Sequence, residues 1–255
     1  MKGSLVRLVN RPLSLVGAKI VATGHDSNEP GHPSVTALRL RLFNQLARKG
    51  LRPRHIVDVG AHKAHWSRDA HLIFPDAAYT LIEPQAEMKP DIDRFCADAK
   101  NAKWIMAGAG STNGEMAMTI APRPDSSSFA TPATSAQTDG LERRTLPVVT
   151  LDSVCKDSGL PAPTIVKIDA EGLDLDVMLG AQSLLGVTEL FFLELPLFDY
   201  WPNQSFHGIV GFMKERGYEP YDITDLNRRS SDDALALMEF AFAKRDGVLR
   251  DKQGW

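Results

Sequence analysis

Short apolar runs alternate along the chain with segments in which apolar residues recur every three or four positions. From Val35 the pattern is helical, and Gly50 is expected to end that helix. Runs rich in β-branched and aromatic residues predict buried strands at 54–61, 78–84, 103–110, 164–170 and 188–196. Helical spacing predicts further helices at 63–74, 173–185 and 205–216.

This alternation predicts an α/β fold in which a mostly parallel, doubly wound sheet carries helices on both faces. The chain ends differently, because two predicted strands, 218–224 and 236–244, follow each other with no helix between them. Such strands pair as a hairpin, which places one antiparallel strand near the C-terminus. A plain dinucleotide-binding half of a dehydrogenase does not end in this way.

Two stretches differ from the rest of the predicted domain. Residues 1–34 have a mixed pattern that ends in a turn-rich segment, and we interpret them as an N-terminal arm or cap to a domain over 35–255. Residues 121–142 are rich in Ser, Thr, Pro and Ala, which is typical of a functional lid or of a solvated insertion. The serines at 126–128 within it are candidate hydrogen-bond donors to a sugar.

Composition narrows the classes of function. With 29 basic and 32 acidic residues the net charge is -3, whereas a nucleic-acid-binding protein usually has a basic excess. The two cysteines, Cys96 and Cys155, have no metal-site spacing and are expected to be reduced packing residues. No apolar stretch approaches the length of a membrane span, so we predict a cytoplasmic protein without stable membrane insertion.

The turn after the first predicted strand is the candidate cofactor site, because ligands bind at the carboxyl ends of strands in open α/β sheets. Gly60 allows a ligand to approach the backbone, and amides at the start of the following helix can face a carboxylate. Glu83 ends the next strand, where an acid can accept both hydroxyls of a ribose. A dinucleotide site prefers three glycines in this turn, but His62 and His65 replace the second and third. This replacement favours S-adenosyl-L-methionine (SAM) over NAD as the ligand. A purely structural turn beside a surface acid is the alternative.

Four blocks in order, IVDVGAHKAHWS, FPDAAYTLIEPQAEMKP, LPVVTLDSV and IVKIDAEGLDLDVMLGAQSLL, resemble the FkbM family of methyltransferases. The resemblance runs from about residue 54 to the closing hairpin, and K-I-D-x-E-G is its most distinctive block. It implies a Rossmann-like class I fold with a seven-stranded sheet, and SAM as the cofactor. The family commonly has D-V-G-A-N-x-G where this chain has His62 for Asn and Ala64 for Gly.

The resemblance also implies positions for the cofactor. The methionine part of SAM is expected at Asp58, Gly60, Ala61 and the start of the next helix, and the ribose at Glu83. The full set of expected cofactor-binding residues is Asp58, Gly60, Ala61, His62, His65, Trp66, Glu83 and Pro84.

Candidate catalytic residues follow the later strands. Asp169 and Glu171 can orient a polyol acceptor, raise each other's pKa or hold a divalent cation, although acids also cap helices. Glu194 ends an apolar run and must face the cleft or find a buried partner. His207 begins the next predicted helix and is a possible base at neutral pH, although single histidines are commonly surface or packing residues. No metal-binding motif accompanies them.

The predicted function is methylation of a hydroxyl on a sugar, glycan or natural-product acceptor, and this acceptor class is what the resemblance implies. Aromatic residues at 198, 200 and 201 can stack on a pyranose face or simply belong to the core. Two alternatives stay open: a catalytically degenerate binding or scaffold protein, and an NAD-dependent oxidoreductase on a similar sheet. The sequence makes no prediction of oligomeric state.

Overall fold

The computed structural model describes residues 35–99, 101–120, 127–130, 141–201, 204–229 and 231–250. The predicted N-terminal arm, 1–34, therefore lies outside the described residues. Of the predicted insertion at 121–142, only 127–130 and 141–142 are described.

Six α-helices, two short 3-10 helices and ten strands are assigned within the described residues, and the sequence explains several of their ends. The side chains of Thr150 and Ser205 accept hydrogen bonds from the first turns of the helices that follow them. Gly159 ends one of those helices in the left-handed conformation. None of the described helices has the length and apolarity that a membrane span requires. The helices are α1 Val35–Arg48, α2 His65–Ile73, α3 Lys89–Asp98, α4 Leu151–Ser158, α5 Asp174–Leu179 and α6 Phe206–Glu215. The strands are β1 His55–Val59, β2 Ala78–Ile82, β3 Ala102–Ile105, β4 Gly108–Ala109, β5 Gly114–Thr119, β6 Arg143–Val149, β7 Ile165–Ile168, β8 Leu190–Pro196, β9 Tyr218–Arg228 and β10 Leu235–Lys244.

The main sheet has seven strands in the order β3-β2-β1-β7-β8-β10-β9. The pairs among β3, β2, β1, β7 and β8 are all parallel. Strand β10 is antiparallel to both of its neighbours, β8 and β9. This confirms the predicted Rossmann-like class I sheet with one antiparallel strand supplied by the C-terminal hairpin.

The central strands β1, β2, β7 and β8 are buried on both faces of the sheet, which explains their continuous apolar runs. Successive residues of β8 point to opposite faces, so Phe192 belongs to one core and Phe191 to the other. The first core lies under α1, α2 and α3 and includes Phe43, Tyr79 and Phe95. Because both faces are covered, the edge formed by the strand ends is where polar groups can meet.

Two predicted elements are divided in the structure. The predicted strand at 103–110 contributes β3 to the main sheet and β4 to a separate three-stranded sheet of order β4-β6-β5. The predicted helix at 173–185 ends at Leu179, followed by a short 3-10 helix at Gln182–Leu184. At Gly180 an added Cβ would lie 2.1 Å from the carbonyl oxygen of Gly110. The helix therefore ends where the backbone of Gly180 lies against the backbone of Gly110. A contact between two backbones leaves no trace in the hydrophobic pattern, so the sequence did not predict this end.

Candidate active site

A cleft opens at the carboxyl ends of β1, β2 and β7, the edge at which open α/β sheets bind ligands. Its empty volume is about 720 Å³, a figure that includes the part open to solvent. Six of the residues predicted from the sequence line it: Gly60, His62, Glu83, Pro84, Asp169 and Glu171.

The turn after β1 is held against the neighbouring strands by its backbone. Gly60 has φ +69°, and a Cβ at this position would lie 1.9 Å from the carbonyl oxygen of Asp169. The N–H groups of Gly60 and Ala61 donate to the carbonyl of Ile82, at 2.9 and 3.2 Å. These two amides therefore fix the turn to the end of β2.

The two departures from the family pattern share a backbone conformation. His62 has φ +45° and Ala64 has φ +59°, so both lie in the left-handed region. Asparagine and glycine, which the family pattern has at these positions, adopt this region more easily than most residues. The turn thus keeps its shape with less favourable side chains, and the Ala64 methyl group is fully buried in the core.

Glu83 is 3% exposed and lies in the cleft wall. Its Oε2 accepts a hydrogen bond from the His62 N–H and its Oε1 accepts one from the Gln85 N–H, both at 2.9 Å. Burial raises the pKa of Glu83, while the two backbone hydrogen bonds lower it. The Gln85 side chain donates a further hydrogen bond to this carboxylate. A carboxylate has about four lone-pair positions, so Glu83 can still accept from a ribose hydroxyl.

Lys167, to which the sequence analysis gave no role, lies at the centre of this edge of the sheet and is 4% exposed. Its Nζ donates to the carbonyls of Gly60 and Val59 at 2.9 and 3.2 Å, and to Asp169 Oδ2 at 3.2 Å. Asp58 Oδ1 lies 3.5 Å away. Burial opposes the charged form, but the carboxylates of Asp169 and Asp58 prevail and raise the pKa of Lys167. The ammonium therefore joins the turn after β1 to the loop after β7.

Three carboxylates come together beside this lysine: Asp169, Glu171 and Glu194 each offer an oxygen within 4.8 Å of the others. The Glu194 side chain is largely buried, and its Oε2 has no hydrogen-bond partner among the described residues. Burial, followed by the charges of Asp169 and Glu171, raises the pKa of Glu194 well above its usual value. The sequence predicted all three as acceptor-side residues, and the structure brings them to one place.

A buried hydrogen-bond network connects this cluster to the start of α5. Asp174 is 1% exposed, and its carboxylate accepts a hydrogen bond from the Glu194 N–H. The side-chain amide of Gln204 donates to the Asp174 carboxylate and accepts from the Asp174 backbone N–H. Burial, and then the charge of Asp169, raises the pKa of Asp174 to about 7. The network fixes the backbone of Glu194 relative to the start of α5.

Other predicted residues are not brought to the cleft. Asp58 is fully buried and accepts a 2.6 Å hydrogen bond from the Ser67 hydroxyl, so it supports the turn from behind. Trp66 packs edge-on against Phe43 and Phe192, at 5.2 and 5.1 Å between ring centroids. Three further predicted residues, Ala61, His65 and His207, also do not line the cleft. Glu194 does not line it either, and reaches it only through its cluster with Asp169 and Glu171, which do. His207 is exposed at the start of α6.

The described part of the predicted lid contributes to the cleft wall. The Ser128 hydroxyl donates to the carbonyl of Glu171 at 2.6 Å, and Ser128 also forms a β-bridge with Thr119. Ser127 and Phe129 line the cleft, and the Phe129 ring lies so close to Gly108 that a Cβ there would be 2.5 Å from the ring. Ser126 lies outside the described residues. Phe129, Gln85 and Met118 also line the cleft, and the sequence analysis did not predict this. Nothing in the local sequence distinguishes these residues from others of their type.

Comparison with known proteins assigns the family. The family model described as the methyltransferase FkbM domain matches residues 58–220, a range that begins in β1 and ends in β9. Comparison with curated proteins gave no match.

Solved structures with a similar fold are distant in sequence. They include precorrin-6y C5,15-methyltransferase from Geobacter metallireducens, at 14% identity over 80% of this chain and 88% of that one, with a TM-score of 0.44. The 1,6-didemethyltoxoflavin-N1-methyltransferase of Burkholderia thailandensis, solved with S-adenosylhomocysteine, is 10% identical over 84% and 79%, with a TM-score of 0.44. An rRNA methylase from Streptococcus thermophilus is 7% identical over 84% and 98%, with a TM-score of 0.48.

Proposed function

The chain belongs to the FkbM family of SAM-dependent methyltransferases, and on this premise we propose that it methylates a hydroxyl group of a sugar, glycan or natural-product acceptor. The observation that carries the proposal is that a single glutamate and a separate cluster of three carboxylates lie along the same edge of the sheet. Glu83 lies in the cleft wall at the end of β2, and the cluster of Asp169, Glu171 and Glu194 lies at the carboxyl ends of β7 and β8.

The cofactor half of the site is built around Glu83. Its carboxylate is pre-oriented by the backbone N–H groups of His62 and Gln85, so it can receive the ribose hydroxyls without reorganising. Pro84 and Ile82 supply apolar surface beside it, and Gly60 brings the backbone close. SAM, when bound, supplies a methyl group activated by its sulfonium sulfur.

The acceptor half of the site is the carboxylate cluster. A hydroxyl oxygen that attacks the methyl carbon must lose its proton to a base as the new C–O bond forms and the S–C bond breaks, leaving a methyl ether and S-adenosylhomocysteine. A carboxylate of the cluster takes that proton. Glu194 is the strongest candidate, because burial and the charges of Asp169 and Glu171 make it more basic than an ordinary glutamate.

Aromatic side chains next to the cluster support an acceptor with a sugar-like face. Phe198 and Tyr200 are 38% and 42% exposed, which is unusual for residues of their size. Trp201 packs against Gly172, where an added Cβ would lie 2.4 Å from the indole ring. The guanidinium of Arg229 lies 3.9 Å above the Phe198 ring. This group offers flat apolar surface at the side of the cluster, while Arg229 is itself paired with Asp232.

The decisive experiment has two stages. Calorimetric titration with SAM and S-adenosylhomocysteine is expected to show binding, whereas NADH is expected not to bind. Purified protein is then incubated with SAM carrying an isotope-labelled methyl group and a panel of sugars, glycans and polyhydroxylated natural products. A label found on oxygen by NMR supports the proposal, while a label found only on nitrogen or carbon overturns it. A folded protein that binds neither SAM nor its product is a binding or scaffold protein, as the departures at His62 and Ala64 would then imply.

A further inference from the structure

The geometry of the carboxylate cluster matches the requirements of a hard divalent cation. One oxygen from each of Asp169, Glu171 and Glu194 lies within 4.8 Å of the other two. Two oxygens on opposite sides of one ion are separated by twice the metal–oxygen distance, which is roughly 4.2 Å for Mg²⁺ and roughly 4.6–5.2 Å for Ca²⁺. The three side chains can therefore close around one ion with small movements.

A second observation concerns one oxygen of the cluster, Oε2 of Glu194. Glu194 Oε2 is shielded from solvent and accepts no hydrogen bond from any described residue. Lys167 does not supply one, because its three N–H groups are directed at Val59, Gly60 and Asp169. A buried carboxylate oxygen with no donor is costly, and a cation seated between the three side chains removes that cost.

The charges agree with this interpretation. Three carboxylates meet at the cluster, and the ammonium of Lys167 contacts Asp169 from behind while it is also shared with Asp58. The three carboxylates thus carry more negative charge than this one shared ammonium can neutralise. Carboxylate oxygens in this number favour Mg²⁺, Mn²⁺ or Ca²⁺ over metals that prefer nitrogen or sulfur ligands.

We infer that Asp169, Glu171 and Glu194 bind one divalent cation of the Mg²⁺, Mn²⁺ or Ca²⁺ class at the acceptor end of the cleft. Three protein ligands leave about three positions of an octahedral ion open. Two neighbouring hydroxyl oxygens of a polyol can occupy them, and a coordinated hydroxyl loses its proton more easily. That proton passes to the Glu194 oxygen that does not bind the ion, so Glu194 keeps its role as the base. This role rests on the proposed function, since it assigns the cation to acceptor binding, whereas binding of the ion itself does not depend on methyl transfer.

The test measures the metal directly. Full-length protein is stripped with a chelator, and Mn²⁺ is titrated while free Mn²⁺ is followed by electron paramagnetic resonance. One ion per chain is expected, and Mg²⁺ or Ca²⁺ should displace it. Glu194→Gln keeps the shape of the side chain and should weaken Mn²⁺ binding at least tenfold. Glu215→Gln, at an exposed position in the last turn of α6, is the matched control and should bind as wild type does.

Two results would overturn the inference: wild-type protein that takes up no stoichiometric Mn²⁺ at millimolar concentration, or a folded Glu194→Gln variant that binds Mn²⁺ as tightly as wild type. If that variant fails to fold by circular dichroism, Glu171→Gln replaces it with the same expected loss. SAM titration in the presence of chelator separates this inference from the proposed function. SAM binding without Mn²⁺ binding refutes only the cation, and Mn²⁺ binding without SAM binding refutes only the methyltransferase.

Discussion

The backbone N–H of His62 donates a 2.9 Å hydrogen bond to Oε2 of Glu83, and so joins the turn after β1 to the end of β2. The bond holds the carboxylate in one orientation at the wall of the cleft. The orientation of the Glu83 carboxylate therefore depends on the conformation of a turn that lies 21 residues earlier in the chain.

Removal of the Glu83 carboxylate should weaken cofactor binding. Glu83→Ala is expected to lower SAM affinity by about 1–3 kcal/mol, the scale of a lost hydrogen bond to a charged group. Calorimetry measures the change, and Glu115→Ala, at an exposed position on β5, serves as the control. Equal affinities for Glu83→Ala and wild type would show that the ribose binds elsewhere.

Restoring the family pattern in the turn should have little effect on SAM. The contact from position 62 to Glu83 is made by the backbone, which any residue except proline retains. The double variant His62→Asn, Ala64→Gly is therefore expected to change the free energy of SAM binding by only about 0.5 kcal/mol. A gain of tenfold or more in affinity would instead mean that the native His62 side chain obstructs the cofactor.

A methyl group at Gly60 should be far more damaging than the same change at another glycine of equal backbone conformation. Gly60→Ala directs a Cβ at the carbonyl oxygen of Asp169, 1.9 Å away, so the loops after β1 and β7 must separate. Gly159→Ala has nearly the same φ, +68°, but meets no atom within 4 Å, and should cost only about 1–2 kcal/mol. Chemical denaturation and SAM titration should both rank Gly60→Ala as the worse variant. Similar losses in the two variants would mean that the close approach of these loops does not matter.

The buried ammonium of Lys167 should be essential to stability. Lys167→Met leaves the carboxylate of Asp58 buried without a cation, which is expected to cost about 3–5 kcal/mol in the free energy of unfolding. The control is Lys89→Met, which breaks a 2.6 Å ion pair with Asp93 whose two side chains are more than half exposed, and should cost less than about 1 kcal/mol. Adding Asp58→Asn to Lys167→Met should recover part of the loss. No recovery would show that the hydrogen bonds of Lys167 to the backbone matter more than its charge.

A pH-dependent change in stability should arise at Asp225. Burial, reinforced by the charge of Glu239 on the neighbouring strand β10, raises the pKa of Asp225 to about 6 in the folded protein. Since the fold favours the protonated form, the wild type loses stability as the pH rises from about 4 through 6. Asp225→Asn should therefore be more stable than wild type by about 1–2 kcal/mol at pH 8, and the difference should vanish near pH 4. Urea denaturation at the two pH values checks this, and a constant difference would contradict it.

The order of strands and helices followed from the sequence because the central strands β1, β2, β7 and β8 are buried on both faces and the helices on one. Continuous apolar runs and helical spacing record those two forms of burial directly. The positions of Gly60, Glu83 and Asp169 were also predictable, since parallel strands place the residues that follow them along one edge. The K-I-D-x-E-G block identified the family without any structural information.

Contacts between distant segments were decided only by the tertiary structure. Lys167 has its role because the Val59 and Gly60 carbonyls and two carboxylates converge on its ammonium. Glu194 joins the cluster because β7 and β8 are neighbours in the sheet, while α6 directs Ile209 and Met213 inward and leaves His207 exposed. The sequence specifies which residues prefer burial and which segments are regular. Which polar groups then meet depends on strand order and on the direction of each side chain, and those are set by packing across the whole sheet.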